Sequence, residues 1–217
     1  MLLPLIEETA PVVHLAHLDD LWFQITGTLC NLACRHCFIS CSPHNHSFGF
    51  IPREVVEQAL AESLRLGVKE YYFTGGEPFL HPELVPLVCR TLELGPVTIL
   101  TNATVLRDEW LHALAQAEAN SPYSLELRVS LDGFDAATND AVRGQGVFAR
   151  TMEGLRRLLD HGFLPIITVA HVVETLSAEE LYYRFVDMLR VQGYDRPRVK
   201  ILPLLRIGAE VQRHRPY

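Results

Sequence analysis

Residues 69–96 read KEYYFTGGEPFLHPELVPLVCRTLELGP, and this stretch holds the plan of the whole chain. Lys69–Thr74 is a short run of β-branched and aromatic residues and predicts a strand. Gly75 and Gly76 interrupt it at once. Pro82 opens a helix at a position where its missing N–H does no harm. Leu84, Val85, Leu87, Val88 and Leu92 then recur at helical spacing until Gly95-Pro96 stops the run.

The same alternation extends outward in both directions. Upstream, Leu21–Thr26 reads as a first strand, and Pro52 opens a helix with Val55, Val56, Ala59, Leu60 and Leu64 on one face before Gly67. Downstream, Val97–Thr101 is a third strand, followed by a helix around Asp108–Ala119. Ser124–Leu131 is a fourth strand, with a helix over Phe148–His161. Leu164–Val173 is a fifth, and Ser177-Ala-Glu-Glu180 has capping-box spacing for the next helix. Arg198–Leu202 is a sixth. Six strands alternating with helices indicate an α/β fold with a parallel sheet and right-handed crossovers. The pattern leaves open a doubly wound sheet or a partial barrel, and both place ligands at the carboxyl ends of the strands. The polar and glycine-rich oddities fall there: the cysteine loop, Gly75–Pro78, Thr101-Asn102, Ser130–Gly133 and His171. One site is expected.

Composition bounds the function. The 217 residues are 48% hydrophobic and 21% charged, a globular balance that excludes disorder and low complexity. A net charge of −7 excludes a uniformly basic nucleic-acid binder, so no nucleic-acid partner is expected. The longest uncharged stretch of the second half, His161 to Val173, is too short for a bilayer, which needs about 20 apolar residues. Met1–Glu8 is apolar at first but has no basic segment, and reads as neither signal peptide nor anchor. No membrane partner is expected, and the cytoplasm is the expected compartment.

The five cysteines are Cys30, Cys34, Cys37, Cys41 and Cys89. An odd count argues against a disulfide framework, and the crowding of the first four argues for metal or redox chemistry. Cys30, Cys34 and Cys37 have C-x3-C-x2-C spacing. Three thiolates on one short loop can hold three irons of a cubane cluster, leaving one iron for a non-protein ligand. Spacing alone also allows a structural zinc with Cys41 or His36 as fourth ligand, or a chance thiol cluster. Cys41 is read as unligated, His44 and His46 as polar loop residues, and Cys89 as a small core residue. His171 is read as either facing the pocket or a satisfied, partly buried histidine.

These residues resemble the radical SAM family, and within it the SPASM/Twitch-like branch without its C-terminal cysteines. The likeness covers Leu21 to Leu205 and implies a partial (β/α)6 barrel with helices outside. It implies a 4Fe–4S cluster on Cys30, Cys34 and Cys37 whose open iron chelates the amino and carboxylate groups of S-adenosylmethionine. Gly75-Gly76-Glu77-Pro78 is similar to the family's GGEP segment, which contacts the amino group. Ser130-Leu-Asp132-Gly133 resembles the segment lining the ribose and methionine, and Thr101-Asn102 resembles the T-N step after the third strand. Arg143-Gly144 with Phe148 resembles the R-G…F segment, where Arg143 pairs with the cofactor carboxylate; Phe38 is placed to pack on the adenine. Physical chemistry agrees: glycines permit close approach, Glu77 can accept charge-assisted hydrogen bonds from an ammonium, and Arg143 offers a fork for a carboxylate.

The activity so implied is reductive cleavage of S-adenosylmethionine to a 5′-deoxyadenosyl radical that removes a hydrogen atom from a substrate. The substrate is expected to be a peptide, a protein or a small cofactor precursor, with an external one-electron donor. The alternatives are a non-catalytic iron–sulfur or zinc scaffold on the same fold, and a thiol redox protein, disfavoured because no C-x-x-C precedes a thioredoxin-like unit. The expected organisation is a lead-in over 1–20, a core domain over 21–205 and a tail over 206–217 that runs on into a further helix or domain.

Overall fold

The structure is a computed structural model that describes residues 16–212. The readings of Met1–Glu8 and of the last five residues lie outside the described part. Six strands form: β1 (Asp20–Gln24), β2 (Glu70–Thr74), β3 (Val97–Thr101), β4 (Leu125–Ser130), β5 (Ile166–Ala170) and β6 (Arg198–Leu202). They make one sheet in the order β1-β2-β3-β4-β5-β6, with every neighbouring pair parallel. This order decides between the two architectures. A doubly wound sheet reverses direction at a switch point. Here each crossover adds the next strand on the same side, so right-handed connections keep the helices on one face. The result is a partial (β/α)6 barrel.

The helices are α1 (Arg53–Leu66), α2 (Leu84–Thr91), α3 (Asp108–Ala119), α4 (Ala136–Arg143), α5 (Val147–Asp160) and α6 (Ala178–Val191). α1 starts directly after Pro52 and ends on Gly67 in the left-handed region, at φ 77°. α6 has the expected capping box: the Glu180 amide donates to Ser177 Oγ, and the Ser177 amide donates to Glu180 Oε2. α2 begins at Leu84, two residues after Pro82, and a separate 3-10 turn over Pro78–Leu80, capped by Glu77, precedes it. α4 escapes the sequence reading. Its residues AATNDAVR carry no apolar stripe, and only the side chain of Asp135, which accepts the Thr138 amide, marks its start.

Period-two alternation along the strands separates two surfaces. Phe23, Tyr71, Phe73, Val97, Ile99, Leu127, Val129, Ile167 and Val169 pack outward against Val56, Leu60, Leu84, Leu87, Leu111, Leu155, Leu158, Leu181 and Phe185. The intervening residues Trp22, Gln24, Thr74, Leu100, Ser130, Thr168, Ala170 and Leu202 face inward and line a cavity. Cys89 packs at the edge of the core, as expected. Among the described residues no helix is long and apolar enough to cross a membrane.

Candidate active site

The cavity has a volume of about 580 Å³ and opens at the carboxyl ends of the strands. Its upper wall is the loop between β1 and α1. That loop turns at Gly27 (φ 54°), where a Cβ would lie 2.3 Å from the Phe48 carbonyl oxygen. It closes on itself: the Cys30 amide donates to Ser42 O at 3.3 Å and the Ser42 amide to Thr28 O at 3.2 Å. Three further backbone bonds pin it from outside. The Glu77 amide donates to Leu29 O (3.2 Å), the Arg35 amide to Val142 O (2.9 Å) and the Ala209 amide to Cys37 O (2.9 Å). Asn31 adds side-chain ties, donating to Thr104 Oγ1 at 2.8 Å and accepting from Asn102 Nδ2 at 2.9 Å. The cysteine loop is thereby held to the ends of β2 and β3, to α4 and to the C-terminal segment.

Cys30, Cys34, Cys37 and Cys41 all line the cavity. Burial pushes the Cys30 thiol up to about 12 and raises Cys34, where the nearby Arg143 charge pulls the other way. The hydrogen bond from the Cys41 thiol brings Cys37 down to about 5 against the effect of burial, and donating that bond raises Cys41. The Cys41 amide also donates to Cys37 Sγ at 3.2 Å. Cys41 thus serves as a hydrogen-bond donor to Cys37. Among the described residues, no group of three or more His, Cys, Asp or Glu side chains converges as a single zinc ion requires. A cubane distributes its thiolates over separate irons and has no such need. His44 and His46 are exposed on the loop.

The expected cofactor residues divide into two groups. Gly75, Gly76, Asn102, Ser130, Asp132, Arg143 and Phe38 line the cavity with the three thiols. Phe38 leaves half its surface exposed there, an apolar face open to a ligand. Glu77 and Pro78 are not in the wall. The Glu77 carboxylate, expected at the cofactor ammonium, is completely buried and accepts three hydrogen bonds from the protein. Its Oε1 accepts from the Phe79 amide (3.1 Å) and Thr101 Oγ1 (2.7 Å), and its Oε2 from the Asn102 amide (2.7 Å). Burial outweighs these three bonds and pushes its pKa up to about 7. Glu77 ties the β2 turn to the end of β3. The glycines also act on the protein itself. A Cβ on Gly76 would lie 1.9 Å from Leu29 O and 2.7 Å from Cys30 Cβ, so the turn after β2 packs directly against the cysteine loop.

Asp132 and Arg143 form the electrostatic centre. Arg143 Nε lies 2.6 Å from Asp132 Oδ2, with both side chains buried. His36 Nε2 lies 2.9 Å from the same oxygen, and the Ala170 amide donates to Oδ1 at 2.8 Å. Burial alone would raise the Asp132 pKa, but the Arg143 and His36 charges overcome it and hold the carboxyl well below its usual range. The sequence offers His36 as a fourth zinc ligand and as standing where the resembling family often has an aromatic residue; its carboxylate partner lies 96 positions away and leaves no local signal. The inward residues Trp22, Gln24 and Thr168 were also missed, although strand alternation marks them. His171 does not line the cavity: its Nε2 lies 2.7 Å from Leu176 O.

The donor set fits a cubane cluster with a chelating ligand. Three thiols from one pinned loop, an arginine fork and backbone free of Cβ atoms meet in one cavity. Comparison with known proteins agrees. The family described as the Radical SAM superfamily matches residues 25–184. The antilisterial bacteriocin subtilosin biosynthesis protein AlbA of Bacillus subtilis (strain 168) is 30% identical over 182 residues, covering 76% of this chain and 39% of that protein. Mycofactocin maturase MftC of Mycobacterium ulcerans (strain Agy99) is 31% identical over 153 residues, covering 68% of this chain and 40% of that protein. The solved structure of native anSMEcpe with bound AdoMet and Cp18Cys peptide shares the fold at a TM-score of 0.65 and 20% identity, over 86% of this chain and 51% of that one. The chain spans about two fifths of the length of these two curated relatives.

Proposed function

The chain belongs to the radical SAM superfamily, and from that premise we propose that it is an enzyme whose Cys30, Cys34 and Cys37 hold a 4Fe–4S cluster beside S-adenosylmethionine, acting on a peptide or peptide-derived precursor. One observation carries this reading: the three thiols, Gly75–Gly76 and Arg143 line the same cavity. When bound, the cluster and cofactor supply reductive cleavage of the C5′–S bond, giving a 5′-deoxyadenosyl radical able to remove a hydrogen atom from carbon.

The chain's own residues bind, orient and enclose. The three thiols lose their protons on ligation, against the burial that raises Cys30 and Cys34. Arg143 gives its Nε to Asp132, leaving Nη1 and Nη2 to meet the cofactor carboxylate. Asn102 and Ser130 offer polar groups on the strand-end side, and Phe38 an apolar face for the adenine. Trp22, Leu100, Ala170 and Leu202 make the rest of the wall largely apolar, as exclusion of water from a reactive site requires. The peptide substrate is supported by the likeness to a bacteriocin biosynthesis protein and to a fold that holds a peptide beside AdoMet. An external one-electron donor, the absence of a nucleic-acid partner and a cytoplasmic setting complete the proposal, as does a core domain over residues 21–205.

The test is anaerobic reconstitution with iron and sulfide. The expected product holds about four irons and four sulfides per chain. Its reduced EPR spectrum changes when S-adenosylmethionine is added, and Cys30→Ala, Cys34→Ala and Cys37→Ala each lose the signal. Zinc bound in place of iron, or a spectrum indifferent to the cofactor, overturns the proposal.

A further inference from the structure

From the geometry around Asp132 we infer that this residue is a positioning residue coupling the cluster-binding loop to the cofactor's carboxylate fork. The inference rests on the cluster-and-cofactor reading of the site and deepens it. The family resemblance puts Asp132 against the cofactor itself, whereas the structure gives both of its oxygens to the protein. Oδ1 takes the Ala170 amide at the end of β5. Oδ2 takes two partners, Arg143 Nε at 2.6 Å and His36 Nε2 at 2.9 Å. A carboxylate can only accept, so it is the Nε2 edge of the imidazole that faces Asp132 as donor. His36 stands between Cys34 and Cys37, and Arg143 is the last residue of α4.

A single carboxylate oxygen therefore sets the position of the segment that presents two cluster ligands and of the cation that meets the cofactor. The junction is braced on every side. The Asp132 amide donates to Asn139 Oδ1 from α4 (3.1 Å), and the Arg35 amide donates to Val142 O of the same helix (2.9 Å). Asp132 is 1% exposed and Arg143 8%, so water is not there to replace a lost partner. Arg143 also lines the cavity beside this ion pair, so its position bears directly on what the cavity can hold.

The test compares variants with the parent chain, each reconstituted anaerobically, by two readouts that need no turnover. These are the dissociation constant for S-adenosylmethionine in equilibrium dialysis, and the rate at which an iron chelator strips the cluster without cofactor. Asp132→Asn keeps the shape and the Ala170 bond but offers no anion to Arg143 and His36. It should weaken cofactor binding by about 10- to 100-fold and speed iron release by a comparable factor. Values within twofold of the parent on both readouts overturn the inference. So does a change in cofactor affinity alone, which reduces Asp132 to the partner of Arg143. His36→Phe, which keeps a planar ring, should speed iron release while leaving cofactor affinity within threefold, and His36→Gln, which restores a donor, should recover slow release. This pair decides the matter if Asp132→Asn does not fold: unchanged release in His36→Phe, or no recovery in His36→Gln, overturns the coupling. A parent that takes up no cluster refutes the underlying reading of the site and the coupling with it.

Discussion

Replacing Gly76 by alanine tests the packing that holds the site together. Gly76 has no left-handed backbone to protect, so the effect is steric alone. The added Cβ would stand 1.9 Å from Leu29 O, and a shift of about 1.5 Å is needed to restore ordinary contact. Neither neighbour is a flexible side-chain end: one is a backbone carbonyl and the other the Cβ of Cys30. Overpacking of this kind costs about 1–3 kcal/mol. The displaced carbonyl also accepts the Glu77 amide at 3.2 Å, and losing that bond adds about 1 kcal/mol. The sum lowers the melting temperature of a chain this size by roughly 5–15 °C. Because Leu29 precedes the first cluster ligand, the same shift should reduce iron uptake. Calorimetry of the metal-free chain and iron analysis after reconstitution read the two effects. Gly49→Ala, whose Cβ would meet nothing within 4 Å, is the neutral control. A Gly76→Ala chain that melts with the control and takes up the parent's iron refutes the reasoning.

Other outcomes follow from the same geometry. The folded pKa of Glu77, about 7, lies above its ordinary value of 4.5, so the folded state holds its proton longer than the unfolded chain does. Stability should therefore fall as pH rises from about 4.5 to about 7 and then level, and Glu77→Gln should remove that part of the slope in denaturant titrations. Glu77→Ala orphans three donors in a dry site and should cost about 1–3 kcal/mol for each of them, measured as a shift of the urea midpoint. Cys41→Ala removes a donor to Cys37 and no ligand, so iron and sulfide contents should match the parent's; loss of the cluster would overturn the ligand assignment. Gly154→Ala on α5 drives a Cβ to 1.9 Å from Ala103 O and should destabilise by about 1–3 kcal/mol, with an unchanged melting curve as the contrary result.

The strands were legible because β-branched and aromatic runs are short, dense and punctuated by Gly and Pro. Val97–Thr101 and Arg198–Leu202 match to the residue. The ligand loop was legible because cysteine spacing states its own chemistry. Barrel and doubly wound sheet were not separable by periodicity, since strand order is a property of crossovers between elements. α4 was hidden because a helix held by a cap and by packing of Asn139 and Val142 needs no apolar stripe. The burial of Glu77 was hidden for a related reason. A motif places a residue after a strand, but which donors reach its carboxylate depends on Thr101 and Asn102 arriving from the neighbouring strand. His36 was undervalued in the same way, because its partner comes from the far side of the sheet.

The most direct test of the central claim is 5′-deoxyadenosine formation by the anaerobically reconstituted chain, given S-adenosylmethionine and a strong reductant without substrate. Slow product release that disappears in Cys34→Ala is the expected result. A spectroscopically complete cluster that yields no 5′-deoxyadenosine, or product that persists in Cys34→Ala, contradicts it.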